Sequence, residues 1–310
     1  MKVLFVASGN KSVGTVSAFV QSQYDSLIRE GVEMSMFPVV GHGLSGYLKN
    51  WKALRRKIKN EKPDIVHAHY STCGYLASLA SFGLRKKVVV SLLGSYPTRN
   101  ARYHLIKFCV RHIWDAVIVK SERTMNQLGL TLPVIPNGVN LDNFTLIPQE
   151  EARQRVGFEP AKKYIIFVSN PAREEKNYPL AQAAVALLRD PSVALVPVYD
   201  KTHNEVVDYM CAADALVMTS FSEGSPNVIK EAMACNCPLV VTDVGDVRWV
   251  TDGVEGTYVA DTYNPEELSR LLQEALHFGK RTKGRDKILQ LGLTTPDIAR
   301  KIIAVYTALI

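Results

Sequence analysis

The chain has 310 residues, 47% of them hydrophobic and 22% charged, with a formal net charge of +7. That is the balance of an ordinary globular protein, long enough for one large domain or two of about 150 residues each. No run of about 18 apolar residues occurs, which excludes a spanning helix, and five cysteines without metal or redox spacing suit a reducing cytoplasm.

Apolar, β-rich runs alternate with stretches of helical period, the mark of parallel α/β layers. KVLFVAS (2–8) reads as the first strand and not as a signal peptide, because the apolar run passes straight into this alternation. Val16, Phe19, Val20, Tyr24 and Leu27 then recur at helical spacing, and Gly31 ends the helix. EMSMFPVV, DIVHA (64–68), KVVVSLL (87–93) and AVIVK (116–120) continue the strands, and PVIPNGV (133–139) closes the series. The polar passage from Pro136 to Glu151 reads as a linker. A second series follows: YIIFVS (164–169), VALVPV (193–198), DALVMT (214–219), PLVVTD (238–243) and TYVA (257–260). Thr295-Pro296 opens a last helix as N-cap and first residue. The pattern predicts two doubly wound Rossmann-like domains, 1–148 and 149–294, with a helix at 295–310 whose apolar residues need a partner surface on the first domain.

Charge divides unevenly. Residues 1–150 carry 19 Lys and Arg against 9 Asp and Glu, and the remainder 18 against 21, so the first half faces something acidic. YLKNWKALRRKIKNEK (47–62) holds seven bases, Lys49 to Lys62, and one acid. Tyr47, Leu48, Trp51, Leu54 and Ile58 give it an apolar stripe. As one helix it fits either anionic lipid headgroups or a surface position with its stripe on the sheet. Aromatic residues are not interleaved with the bases as nucleic-acid binding would require. GHGLSG (41–46) has glycine spacing of the dinucleotide type but sits on the second βα connection, and reads as a mobile loop.

SFSEGSPNVIKEAMACNCPLVVTDVGD (220–246) is the most informative stretch. A strand ends, Glu223-Gly224 turns, and Ser225 with Pro226 starts a helix as N-cap and first residue. Unpaired N–H groups at a helix start seat a phosphate, and Gly224 lets a ligand approach the backbone. Glu231 lies roughly 8 Å down the helix. Two acids flanking a phosphate seat accept hydrogen bonds from hydroxyls and not from phosphate, which describes a nucleotide sugar. Either glutamate alone reads as a turn or surface acid; the set of residues reads as a site. In FVSNPAREEKN (167–177) a loop brings Arg173 and Lys176 to the sheet's carboxyl edge, where ligands bind in open α/β sheets. Two cations there would steady a departing diphosphate, although Glu174 and Glu175 offer them partners of their own.

EGSPNVIKEAMACNCPLVVTDVGD resembles the E-x7-E signature of the retaining glycosyltransferases of family four, which have the GT-B fold, two Rossmann-like domains facing across a cleft. PNGVN with Phe144, FVSNPAREEKN and DIVHAHY (64–70) resemble further family segments, so the likeness runs from the first strand to about residue 260. The resemblance implies donor binding by Glu231, Gly224, Ser225, Pro226, Asn227 and Gly14, and catalytic roles for Arg173, Lys176 and Glu223. It implies His69 and Asn10 on the acceptor side. No D-x-D occurs, so we expect no metal and no cofactor, the cationic role falling to side chains. The family's histidine before Gly94 is replaced by Leu93. The expectation is a metal-independent hexosyltransferase acting on a carbohydrate or lipid-linked acceptor in cell-envelope polysaccharide or glycolipid synthesis. Its expected location is cytoplasmic, with a peripheral place on the inner membrane face through Lys49–Lys62 as one option, and no nucleic acid is expected as a partner. The alternative is a catalytically weak partner subunit of a polysaccharide assembly complex; a sugar-nucleotide epimerase would need an acid/base set that is not evident.

Overall fold

The computed structural model describes residues 1–10, 13–94 and 101–310. They form two compact units, Met1–Gly138 together with Thr295–Ile310, and Val139–Thr294.

The first unit runs β1 (Lys2–Ser8), α1 (Ala18–Arg29), β2 (Glu33–Val39), α2 (Gly43–Leu48), α3 (Trp51–Glu61), β3 (Ile65–His69) and α4 (Ser71–Ser81). It continues through β4 (Lys87–Leu92), α5 (Ala101–His112), β5 (Ala116–Val119) and α6 (Glu122–Leu128). The second runs α7 (Gln149–Val156), β6 (Lys163–Phe167), a 3₁₀ turn (Glu174–Lys176), α8 (Tyr178–Ala186), β7 (Val193–Pro197), α9 (His203–Ala212) and β8 (Ala215–Met218). After these come α10 (Asn227–Ala234), β9 (Leu239–Thr242), α11 (Val247–Thr251), β10 (Thr257–Ala260), α12 (Pro265–Phe278) and α13 (Gly284–Gln290). The last helix, α14 (Thr295–Thr307), belongs to the first unit.

Both sheets are parallel, with orders β2-β1-β3-β4-β5 and β7-β6-β8-β9-β10. Central strands read as unbroken apolar runs because helices cover both faces: Val3 to Val6 and Leu239 to Val241 are fully buried. Each order reverses direction once, between β1 and β3 and between β6 and β8. The loops leaving the carboxyl ends of such a pair diverge, and the gap they leave is where an open α/β sheet binds its ligand.

Local chemistry sets the helix ends. Thr202 and Glu205 form a capping box at α9, Asn264 caps α12 ahead of Pro265, and Gly129 and Gly279 end α6 and α12 in left-handed conformation. All five cysteines are buried free thiols. α14 lies against α1, with Ser26 Oγ donating to the Thr295 carbonyl at 2.9 Å and the Tyr306 hydroxyl 2.5 Å from His67 Nδ1.

Three expectations differ. PVIPNGV forms no strand; it touches the sheet through one isolated bridge, Val134 to Val119, while Val139 bridges to Thr294 outside the sheet, since Pro133 and Pro136 lack the N–H a ladder needs. The stretch 47–62 is not one helix. α2 ends at Leu48, α3 begins at Trp51, and the Asn50 side chain donates to the Val40 and Gly46 carbonyls between them. GHGLSG contributes to α2, and its glycines serve a tight backbone crossing: a Cβ on Gly41 would lie 2.8 Å from the Gly46 oxygen.

Candidate active site

In the second unit the loops after β6 and β8 meet at the reversal point. They are tied together. Thr219 Oγ1 donates to the carbonyls of Lys176 and Asn177 at 3.0 and 2.8 Å, and the Phe221 amide donates to the Glu175 carbonyl at 3.0 Å. This tether brings Lys176 to Glu223, and the two form an ion pair, each side chain mostly buried. Arg173 is turned outward instead: its Nε and Nη2 donate to Glu175 Oε1 at 2.8 and 2.6 Å on the surface. A backbone donor and then Arg173 hold the Glu175 carboxyl below its usual range.

α10 begins one residue later than the sequence suggests. Pro226 occupies the N-cap position, and the cap residue makes no side-chain hydrogen bond to the helix start. Ser225 is engaged elsewhere: its hydroxyl donates to Asp246 Oδ2 at 2.6 Å and accepts from Lys230 Nζ. Lys230 and Asp246 lie 3.3 Å apart, and Ser225, Lys230 and Asp246 are 7%, 1% and 7% exposed. Gly224 passes against the loop that carries Asp246, where Gly245 has φ +60 and a Cβ would meet the Gly224 oxygen at 2.7 Å. Beneath the helix start, the fully buried Ser220 hydroxyl has no partner among the described residues. It lines a cavity of about 10 Å³ with Ser169, Lys176 and Val228, close to the space one water needs.

Glu231 lies deeper in α10. Among the described residues its carboxyl group makes no hydrogen bond or ion pair. Burial raises its pKa to about 7, with the Lys230 charge acting in the opposite direction. A partly accessible carboxyl with unused acceptors, an uncapped helix start and a nearby ammonium form a seat for a ligand that has both phosphates and hydroxyls.

Two family models match the chain: Glycosyltransferase Family 4 over residues 15–143 and Glycosyl transferases group 1 over residues 196–277. The chain belongs to glycosyltransferase family four, with the GT-B fold. It is 29% identical over 211 residues to a putative teichuronic acid biosynthesis glycosyltransferase of Bacillus subtilis, covering 60% of this chain and 54% of that protein. The chain thus spans about half the length of that relative. The fold matches sucrose-phosphate synthase from Thermosynechococcus elongatus, with TM-score 0.83 at 17% identity over 100% and 99% of the two chains. It also matches Anabaena HepE in complex with UDP-glucose, with TM-score 0.78 at 15% identity over 99% and 100%.

In the first unit of this family-four chain, the residues expected on the acceptor side are enclosed or engaged. His69 ends β3 fully buried, stacked on His67 with centroids 4.7 Å apart, and neither ring nitrogen has a partner among the described residues. Burial, then the charge of Lys120, lowers its pKa to about 3, so the ring is neutral. His67 beside it also bonds Ser91 Oγ at 2.8 Å. Asn10 exchanges two hydrogen bonds with the Gly41 backbone, at 2.7 and 2.9 Å. Gly14 turns the β1–α1 loop at φ +83, with nothing among the described residues within 4 Å of its side-chain position. Lys11 and Ser12 of that loop, and residues 95–100 after Leu93-Gly94, lie outside the described residues. Among the described residues no three His, Cys, Asp or Glu form a group able to hold a metal.

The sequence reading missed Lys230, Asp246, Gly245 and Ser220. Asp246 had a usable signal, an acid just past the carboxyl end of a buried parallel strand. Lys230 had a weaker one, a base between Ile229 and Ala232 on a helix face that is otherwise buried. Tyr70, at φ 72 and ψ 149, had none; that backbone region is essentially restricted to glycine, and its occupation by tyrosine is strain held at the β3–α4 turn.

Proposed function

We propose that this chain is a glycosyltransferase that takes a hexosyl unit from a nucleoside diphosphate sugar to a hydroxyl acceptor with retention at the anomeric carbon. The uncapped start of α10 between Lys176–Glu223 and Glu231 carries the reading. The diphosphate takes the helix-start amides, Glu231 accepts from ribose hydroxyls, and Glu223 from the sugar. The anomeric carbon–oxygen bond to the diphosphate breaks while the acceptor oxygen bonds on the same face, and the acceptor proton leaves with the diphosphate. Charge growing on that leaving group is steadied by Lys176, with Arg173 swinging from Glu175 to join it, in place of a metal. Retention and the hexosyl donor rest on the family resemblance.

The relative in teichuronic acid biosynthesis supports an acceptor in cell-envelope polysaccharide or glycolipid synthesis. Among the described residues no helix is long and apolar enough to cross a membrane, so a lipid-linked acceptor would be met at the surface. A patch on the first unit suits that. Lys52, Arg56 and Lys59 are exposed along α3, while Arg55 donates to the carbonyls of Ala80 and Phe82 at 2.9 and 2.8 Å. Those bonds hold the end of α4, where Leu79 and Phe82 stand exposed, Phe82 by 81%. Bases around exposed apolar side chains match the interface of an anionic bilayer, here the inner face of a cell membrane.

Leu93 favours a second reading, a weakly catalytic partner subunit, because leucine offers the sugar no hydrogen bond. A thermal-shift panel of UDP, GDP, ADP and CMP sugars, followed by assay for released nucleotide, tests both. One donor raises the melting temperature, Glu231→Ala abolishes the rise, and release of diphosphate identifies the enzyme. Binding without release selects the partner subunit, and no binding ends the donor reading. Flotation with phosphatidylglycerol vesicles tests the patch, and Phe82→Ser should weaken it.

A further inference from the structure

Ser225-Pro226 has the chemistry of an N-cap followed by a first helical residue. In that arrangement the serine hydroxyl accepts from the amide two or three residues on, here Asn227 or Val228. The structure does the opposite. Lys230 reaches back from the second turn of the same helix and donates to Ser225 Oγ, while Asp246, arriving from the loop after β9, accepts the hydroxyl proton. With Lys230 and Asp246 also 3.3 Å apart, the three side chains satisfy one another in a buried, neutral set. The helix start is left without a side-chain hydrogen bond from its cap residue, next to a buried Ser220 hydroxyl that has no partner among the described residues and shares its cavity with Lys176 and Val228.

We propose that Lys230 and Asp246 are positioning residues that keep Ser225 from capping α10, so that the Val228 amide in its first turn stays available to the donor diphosphate. The inference rests on the donor reading above. Ser225 released from the set would close onto the Val228 amide as a self-made substitute for the ligand. Lys230 therefore acts through Ser225 and touches no donor atom.

The experiment is calorimetric titration with UDP, GDP and ADP of the full chain and of Lys230→Met, with and without Ser225→Ala. Lys230→Met should weaken the bound diphosphate by about tenfold or more, the order expected when a hydrogen-bonding group competes internally for the seat. Adding Ser225→Ala should restore most of that affinity, because no hydroxyl remains to compete; a purely structural defect would deepen with the second substitution. If Lys230→Met folds poorly, Lys230→Met/Asp246→Leu removes both holds without stranding a charge, and the same rescue is expected. Unchanged affinity in Lys230→Met, or loss that Ser225→Ala does not relieve, overturns the proposal while leaving the donor reading intact. Failure of the unmodified chain to bind any diphosphate removes the donor reading, and the proposal with it.

Discussion

Replacing Asp246 by alanine strands the Lys230 ammonium and the Ser225 hydroxyl inside the second unit. The side chains of Lys230 and Asp246 are 2% and 5% exposed, so solvent screens the pair little and the loss approaches that of a fully buried ion pair. Removing one partner of such a pair costs about 3–5 kcal/mol, whereas replacing both with apolar groups of similar volume is about neutral or even stabilising. For a unit of this size that corresponds to a fall of roughly 6–20 °C in melting temperature. Denaturant unfolding of the full chain, Asp246→Ala, Lys230→Met and Lys230→Met/Asp246→Leu gives the coupling directly. The double variant should be closer to the unmodified chain than either single one. Asp246→Ala costing under about 1 kcal/mol, or a double variant equal to the sum of the singles, would refute the buried network as an energetic unit.

Donor affinity should rise with pH through about 7, as Glu231 loses the proton that burial lets it keep; Glu231→Gln should bind weakly and flatten the profile in titrations from pH 5.5 to 8.5. The same group makes the unliganded chain less stable as pH climbs from its unfolded value of 4.5 through about 7, because the folded pKa is the higher of the two. That decline should vanish in Glu231→Gln when melting is followed against pH. Lys176→Met, which releases Glu223 from its ion pair, should lower kcat/KM by about 10²–10³-fold in a diphosphate-release assay. Gly245→Ala forces a Cβ to within 2.7 Å of the Gly224 oxygen at φ +60 and should cost about 1–3 kcal/mol in a melting experiment.

Much of this architecture was legible. Nearly every strand announced itself as an apolar run ended by polar or turn residues, since a parallel sheet covered on both faces leaves little room for other patterns. The candidate site's outline was legible for a related reason: Glu223, Gly224, Pro226 and Glu231 occur within one strand–turn–helix, where spacing alone fixes geometry. Ser225 was misread because its preference for capping is local, while Asp246 competes for it from 21 residues away. Arg173 and Lys176 both read as cations for the diphosphate; the tether through Thr219 and the Phe221 amide separates the one held at Glu223 from the one lying on the surface. Pro133 and Pro136 carried a readable warning against a sixth strand. His67 shows the remaining limit, for its partner Tyr306 lies on a helix more than two hundred residues later in the chain.

That late helix makes the first unit discontinuous. Ile298, Ile302 and Tyr306 are buried, and Tyr306 supplies a partner for the His67 ring. A fragment ending at Gly138 would expose the α1 surface that α14 covers and strip the His67 Nδ1 of its partner in the centre of the sheet, leaving only the bond to Ser91. Splitting the protein between its halves therefore requires two cuts and a graft: residues 295–310 must travel with residues 1–138, most simply by a permuted chain in which α14 leads into β1.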